Sequence, residues 1–127
     1  MIFYTDEECR TLRTAVYGAM VLVSHADPGP VDQERFAGFR AMSNFSRELR
    51  DVLGAARVLL PEEPALEGAV LDALRLSMKI LSVKAADEAA TFPSAVLAIS
   101  QEVAAADGHV VDAEDAMVRK IQAALEG

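Results

Sequence analysis

The chain predicts an all-α fold, and three observations carry that reading. Its apolar residues, 52% of the sequence and rich in alanine and leucine, recur at helical rather than alternating spacing. Turn and capping signals cut it into segments of helix length. Two stretches that each separate one helical pattern from the next are near-copies: Ala26-Asp27-Pro28-Gly29-Pro30-Val31-Asp32-Gln33-Glu34 and Ala106-Asp107-Gly108-His109-Val110-Val111-Asp112-Ala113-Glu114. Aligned without a gap, they share the Ala-Asp start, the Val-Asp pair and the final Glu. The expectation is a compact bundle of about six to seven helices with pseudo-twofold repeated helix-turn-helix units.

Thr5 followed by Asp6, Glu7 and Glu8 is a capping box: the Thr5 hydroxyl can accept from the Glu8 amide while the Glu8 carboxylate reaches back. Leu12, Ala15, Val16, Ala19, Met20 and Val23 then keep helical spacing, so a first helix runs from about Asp6 to His25. It stops at Asp27-Pro28-Gly29-Pro30, where proline removes donors and clashes with the preceding turn. Asp32 is a natural N-cap for a second helix with Phe36 and Phe39 on its apolar side. After a break at Ser43-Asn44, Phe45, Leu49, Val52, Leu53, Ala56 and Leu60 form the stripe of a third helix.

Pro61-Glu62-Glu63-Pro64 is too short for a linker between domains and reads as a corner. The fourth helix, Ala65 to Lys84, carries Val70, Leu71, Leu74, Leu76, Met78, Ile80, Leu81 and Val83 around most of its circumference, which predicts the central, most buried helix. Asp87 to Phe92 is weakly patterned and reads as loop or as an extension, and Pro93 suits the first turn of a fifth helix that uses Val96, Ile99 and Val103. Asp107-Gly108 ends it. Asp112 caps a sixth, with Met117, Val118, Ile121, Ala124 and Leu125 facing inward. The organisation is a single domain over 1–127, with repeat units at about 6–43 and 93–126 and a central hairpin at about 44–85.

Length and charge narrow the function classes. A chain of 127 residues can bury one core, and its longest uncharged apolar run, Ala15 to Val23, is too short to span a bilayer. The N-terminus has neither a basic stretch nor a cleavage pattern, which predicts a cytoplasmic protein. The net charge of -8 repels nucleic acid and anionic lipid and suits cations or basic partners. Cys9 is the only cysteine; an internal disulfide and a cysteine zinc cluster are excluded, and a partly buried thiol is expected. Arg35, Arg40, Arg47, Arg50 and Arg57 interleave with Glu48 and Asp51 in the manner of a solvated, ion-paired face, although an anionic protein partner could dock there.

The repeated turns are where chemistry concentrates. Asp27 and Glu34, like Asp107 and Glu114, stand seven residues apart across a turn into the start of a helix. A tight turn brings such carboxylates together, and oxygen ligands suit Ca²⁺, Mg²⁺ or Mn²⁺. Two carboxylates are only part of a coordination sphere, so backbone carbonyls, water or the other repeat would complete it. A purely structural reading stands beside this one. The aspartates can accept from turn amides, Asp32 and Asp112 can cap helices, and the glutamates favour helix N-termini. His25 and His109 flank the turns out of register with each other, and exposed side chains describe them better than ligands do.

The Ala-Asp-Gly-x-Val-x-x-x-Glu form of residues 106–114 resembles the TerB-like (tellurite-resistance-associated) family, whose helix-turn-helix units carry this pattern. The first turn matches through Ala26, Asp27, Val31 and Glu34, with Pro28-Gly29 in place of the usual glycine position. The resemblance implies an α-helical domain tied to stress response, with acidic turns that bind divalent metal at Asp27, Glu34, Asp107 and Glu114. There is no nucleophile elbow, no glycine-rich phosphate loop and no His-x-x-x-His pair, and Ser24-His25-Ala26-Asp27 cannot form a triad from one segment. The expected function is therefore a non-catalytic binding or adaptor module with a protein partner, no nucleic acid and no membrane span. A metal-dependent hydrolase and a structural subunit that homodimerises through helix faces are the alternatives.

Overall fold

The fold is all-α. The computed structural model describes residues 4–24, 30–31, 45–54, 58–61, 64–105 and 112–126. Among these residues the helices are α1 (Asp6–Ser24), α2 (Arg47–Gly54), α3 (Ala65–Lys84), α4 (Ala86–Ala105) and α5 (Asp112–Glu126). Two two-residue strands, β1 (Pro30–Val31) and β2 (Val58–Leu59), pair antiparallel with Pro30 opposite Leu59 and Val31 opposite Val58. Proline fits at so short an edge because it has no ladder donor to lose. The second expected helix, with its Asp32 cap, Phe36 and Phe39, lies outside the described residues.

The central helix is α1, in place of the expected helix at 65–84. Every residue from Ala15 to Val23 is buried, which is the signature of a helix enclosed on all sides. It packs against α3, α4, α2, α5 and β2. In α3, Leu66, Val70, Ala73, Leu74, Ser77 and Leu81 face the core, whereas Leu76 is 49% and Val83 85% exposed. The many apolar residues of α3 therefore form a buried stripe and a separate exposed one.

Close approach sets the α1–α3 packing. Gly18 faces Val70, and Lys84 at the end of α3 pairs with Glu8 at the start of α1, so the two helices run antiparallel. Helix α4 starts directly after α3, with only the buried Ala85 between them, its amide donating to the Leu81 carbonyl. Lys120 of α5 reaches Glu67 near the start of α3, and Ala124 lies beside the later residues Arg75 and Met78, so α5 runs parallel to α3. These pairings bring the C-terminal end of α1, the N-terminal end of α3 and the N-terminal half of α5 to one end of the bundle.

Two helix boundaries differ from the sequence expectation. The third expected helix was to reach Leu60, but α2 stops at Gly54, and residues 58–59 are extended and paired with β1. A backbone pairing between segments almost thirty residues apart outweighs the local helical spacing. The fifth helix was expected to have Pro93 in its first turn, with 87–92 either loop or an extension; the structure makes it an extension, α4 beginning at Ala86 and carrying Pro93 inside it. Phe92, 1% exposed, anchors this first stretch against Phe45, their ring centroids 5.8 Å apart. Burial of that aromatic pair offsets the donor that Pro93 withholds from the Ala89 carbonyl.

Candidate functional site

The four acidic residues singled out in the sequence fall at the edges of the described structure. Asp27, Glu34 and Asp107 lie outside the described residues, as do His25 and His109; Glu114 belongs to the first turn of α5 by its backbone. The described helices on either side are informative. Helix α1 ends at Ser24, three residues before Asp27, while α4 ends at Ala105 and α5 starts at Asp112, on either side of Asp107. Among the described residues, no three His, Cys, Asp or Glu side chains are grouped so as to hold a metal ion.

A polar cluster occupies the other end of α1. The capping box is formed: the Thr5 amide donates to Glu8 Oε1 at 2.8 Å and the Glu8 amide donates to Thr5 Oγ1 at 3.1 Å. Lys84 Nζ donates to the same Glu8 carboxylate and sits 5.7 Å from the Tyr4 ring centroid, within cation–π range. The Lys84 hydrogen bond, then that from the Thr5 amide, hold the Glu8 carboxyl below its usual range. Burial, and then the nearby charges of Glu88 and Glu48, push the Tyr4 phenol above its usual value. Its Oη is buried and has no hydrogen-bond partner among the described residues.

Ser46 links this cluster to α2 and α4. Its hydroxyl donates to Glu88 Oε2 at 2.5 Å and accepts from the Leu49 amide at 3.2 Å, so it is the N-cap of α2. Both functions of the hydroxyl are taken up by structure, and its carboxylate partner lacks the intervening base of a nucleophilic triad. A cavity of about 540 Å³ opens here, lined by Ser46, Arg47 and Glu48 on one side and by Lys84, Ala85, Ala86, Asp87 and Glu88 on the other. Two cations and three carboxylates share its wall, so it presents no dominant sign of charge to a ligand. Cys9 is half-buried in the same first turn of α1, its amide donating to the Thr5 carbonyl, the environment expected from the sequence.

A second concavity of about 550 Å³ lies between α3 and α5, lined by Arg75, Met78, Lys79, Ser82, Val83 and Ala124. It differs in chemistry: among the described residues no carboxylate lines it, its floor is apolar, and its charged rim is basic. Sequence reasoning missed both places. The uninterrupted helical pattern of 65–84 concealed which apolar residues would stay outside, and Ser46 stands two residues beyond the Ser43-Asn44 break that precedes its helix.

The chain matches no family model, no curated protein and no solved structure. The functional reading therefore rests on its own residues.

Proposed function

We propose that this protein is a non-catalytic binding or adaptor module of the TerB-like kind. In this reading its two acidic turns form a pseudo-twofold pair that takes up a divalent cation, with Asp27, Glu34, Asp107 and Glu114 as the carboxylate ligands. One observation supports it most. The end of α1, from which the first turn departs, shares an end of the bundle with the N-terminal half of α5, into which the second turn leads. A hard cation needs roughly six to eight oxygens if it is Ca²⁺, more than one Asp–Glu pair supplies, so turns at a common end suit such an ion better than isolated ones.

Calorimetric titration of chelator-stripped protein with Ca²⁺, Mg²⁺ and Mn²⁺ tests the proposal. A saturable heat is expected with at least one ion and is lost in the Asp27→Asn, Asp107→Asn double variant, whose helical circular dichroism is unchanged. No heat with any of the three ions would refute ion binding at the turns.

A further inference from the structure

We propose that the groove between α3 and α5 docks an amphipathic helix of a partner protein whose apolar stripe is edged by aspartate and glutamate. The surface is built from a helix that had ample means to bury it. Leu76 and Val83 are seven residues apart and so lie along one line of α3, separated by about 10 Å at 1.5 Å per residue, the length of two helical turns. They are 49% and 85% exposed, and they are the only large hydrophobic side chains of the described residues left so open. Val83 lines the groove together with Met78 and Ala124, and Leu76 extends the apolar line of α3 beyond that lining. Methionine is unbranched and polarisable, which lets a groove adapt to an incoming side chain.

Charge selects the occupant. The groove is rimmed by Arg75 and Lys79 and has no carboxylate among the described residues of its lining, on a chain whose net charge is -8. Arg75 holds Asp72 at 2.9 Å through one nitrogen, and its guanidinium has further donors to offer. Lys79 makes no ion pair among the described residues. Ionic screening over roughly 8 Å at physiological salt makes these adjacent cations count for more than the distant acidic surface. An apolar strip two turns long with a basic rim is the complement of a helix with apolar residues at i, i+3 or i+4, and i+7 and carboxylates beside them. A second copy of the chain that met this surface with the same surface is a poorer occupant, because it would set Arg75 and Lys79 against their own copies. The surface is distinct from the acidic turns, and the proposal does not depend on ion binding there.

A library of randomised helical peptides selected against the full chain tests this inference. Recovered binders are expected to carry net negative charge and the two-turn apolar spacing, and to shift the backbone amide resonances of residues 75–83 and 124. Lys79→Glu should weaken them by roughly threefold to tenfold. Val83→Glu, at a position too exposed to disturb folding, should abolish binding while leaving the thermal midpoint unchanged. Binders that are basic, or that shift resonances elsewhere, would overturn the proposal. So would concentration-dependent dimerisation that Val83→Glu removes, since that would make the strip a self-association surface. Each outcome is read independently of metal, so failure here leaves the turn proposal standing.

Discussion

Gly18 of α1 lies so close to Val70 of α3 that a β-carbon built on the glycine would stand 2.5 Å from Val70 Cγ2. Both residues are buried, and no carbon pair tolerates that separation without a shift of the valine side chain or of a helix. Alanine normally gains up to about 1 kcal/mol over glycine inside a helix. Here the overpacking, roughly 1–3 kcal/mol, should prevail, so Gly18→Ala is expected to lower the urea midpoint. Adding Val70→Ala removes the obstructing methyls, and the double variant should be less destabilised than the sum of the single ones. An additive result would show that this contact does not set the spacing of α1 and α3.

Helix α2 is closed at its C-terminal end by side chains of α1. Arg13 Nε donates to the Val52 carbonyl and Tyr17 Oη to the Leu53 carbonyl, each at 2.8 Å. These are among the last carbonyls of α2, which have no partner within a helix, and the two donors come from one face of α1 a turn apart. Tyr17→Phe keeps the ring and removes the phenol donor in a buried place, at an expected cost of about 1–2 kcal/mol. Hydrogen exchange should quicken first in α2. A variant as stable as the parent would mean that the Leu53 carbonyl finds another donor.

These two relationships show what was legible in the residues and what was not. The starts of α1 and α3 could be read closely because a capping box and a proline corner mark them, and α3 coincides with its expected span. The central position of α1 is legible in the uncharged run Ala15–Val23, which is too short for a bilayer and long enough to be enclosed on all sides. The end of α2 at Gly54 and the start of α4 at Ala86 depend on β1–β2 pairing and on the Phe45–Phe92 contact, both made between segments far apart in sequence. No local pattern contains such information. The acidic turns were conspicuous as sequence, but Asp27, Glu34 and Asp107 lie outside the described residues.

The Glu8–Lys84 pair ties the start of α1 to the end of α3 and should appear in the acid stability profile. Glu8 has its carboxyl lowered from 4.5 by the Lys84 hydrogen bond and then by the Thr5 amide. A carboxyl lowered in the folded state contributes its full stabilisation above its unfolded pKa and loses it as pH falls through the folded one. Glu8→Gln should therefore be less stable than the parent at neutral pH, with the difference shrinking as pH drops below the usual carboxylate range. Equal differences at pH 7 and pH 3 would assign the effect to packing alone.

Tyr4 supplies the alkaline counterpart. Burial first, then Glu88 and Glu48, raise its phenol above 10.0, so the folded state holds the proton more tightly than the unfolded chain. That contribution is complete below the unfolded pKa and is lost as pH rises through the folded value. In a Tyr17→Phe background Tyr4 is the only remaining tyrosine, and its phenolate absorbance should emerge later than that of a free tyrosine. Titration at the ordinary value would place the phenol in open solvent.

Divalent ions provide the last test, because the two readings of the acidic turns make opposite thermodynamic demands. If Asp27, Glu34, Asp107 and Glu114 hold a cation, it binds the folded protein and not the unfolded chain. Stability then rises by mass action, about 2.7 kcal/mol when free ion exceeds its Kd a hundredfold. For a domain of this size that is a gain of several degrees in Tm. Removing one carboxylate should abolish the gain yet cost little in metal-free protein, where like charges repel. If the aspartates serve the turns only as hydrogen-bond acceptors, Asp107→Ala costs about 1 kcal/mol with or without ion. Thermal unfolding of the parent and Asp107→Ala, with and without Ca²⁺, Mg²⁺ or Mn²⁺, separates the two. A parent Tm indifferent to all three ions, with a constant deficit in the variant, would assign the turns to structure rather than to ion binding.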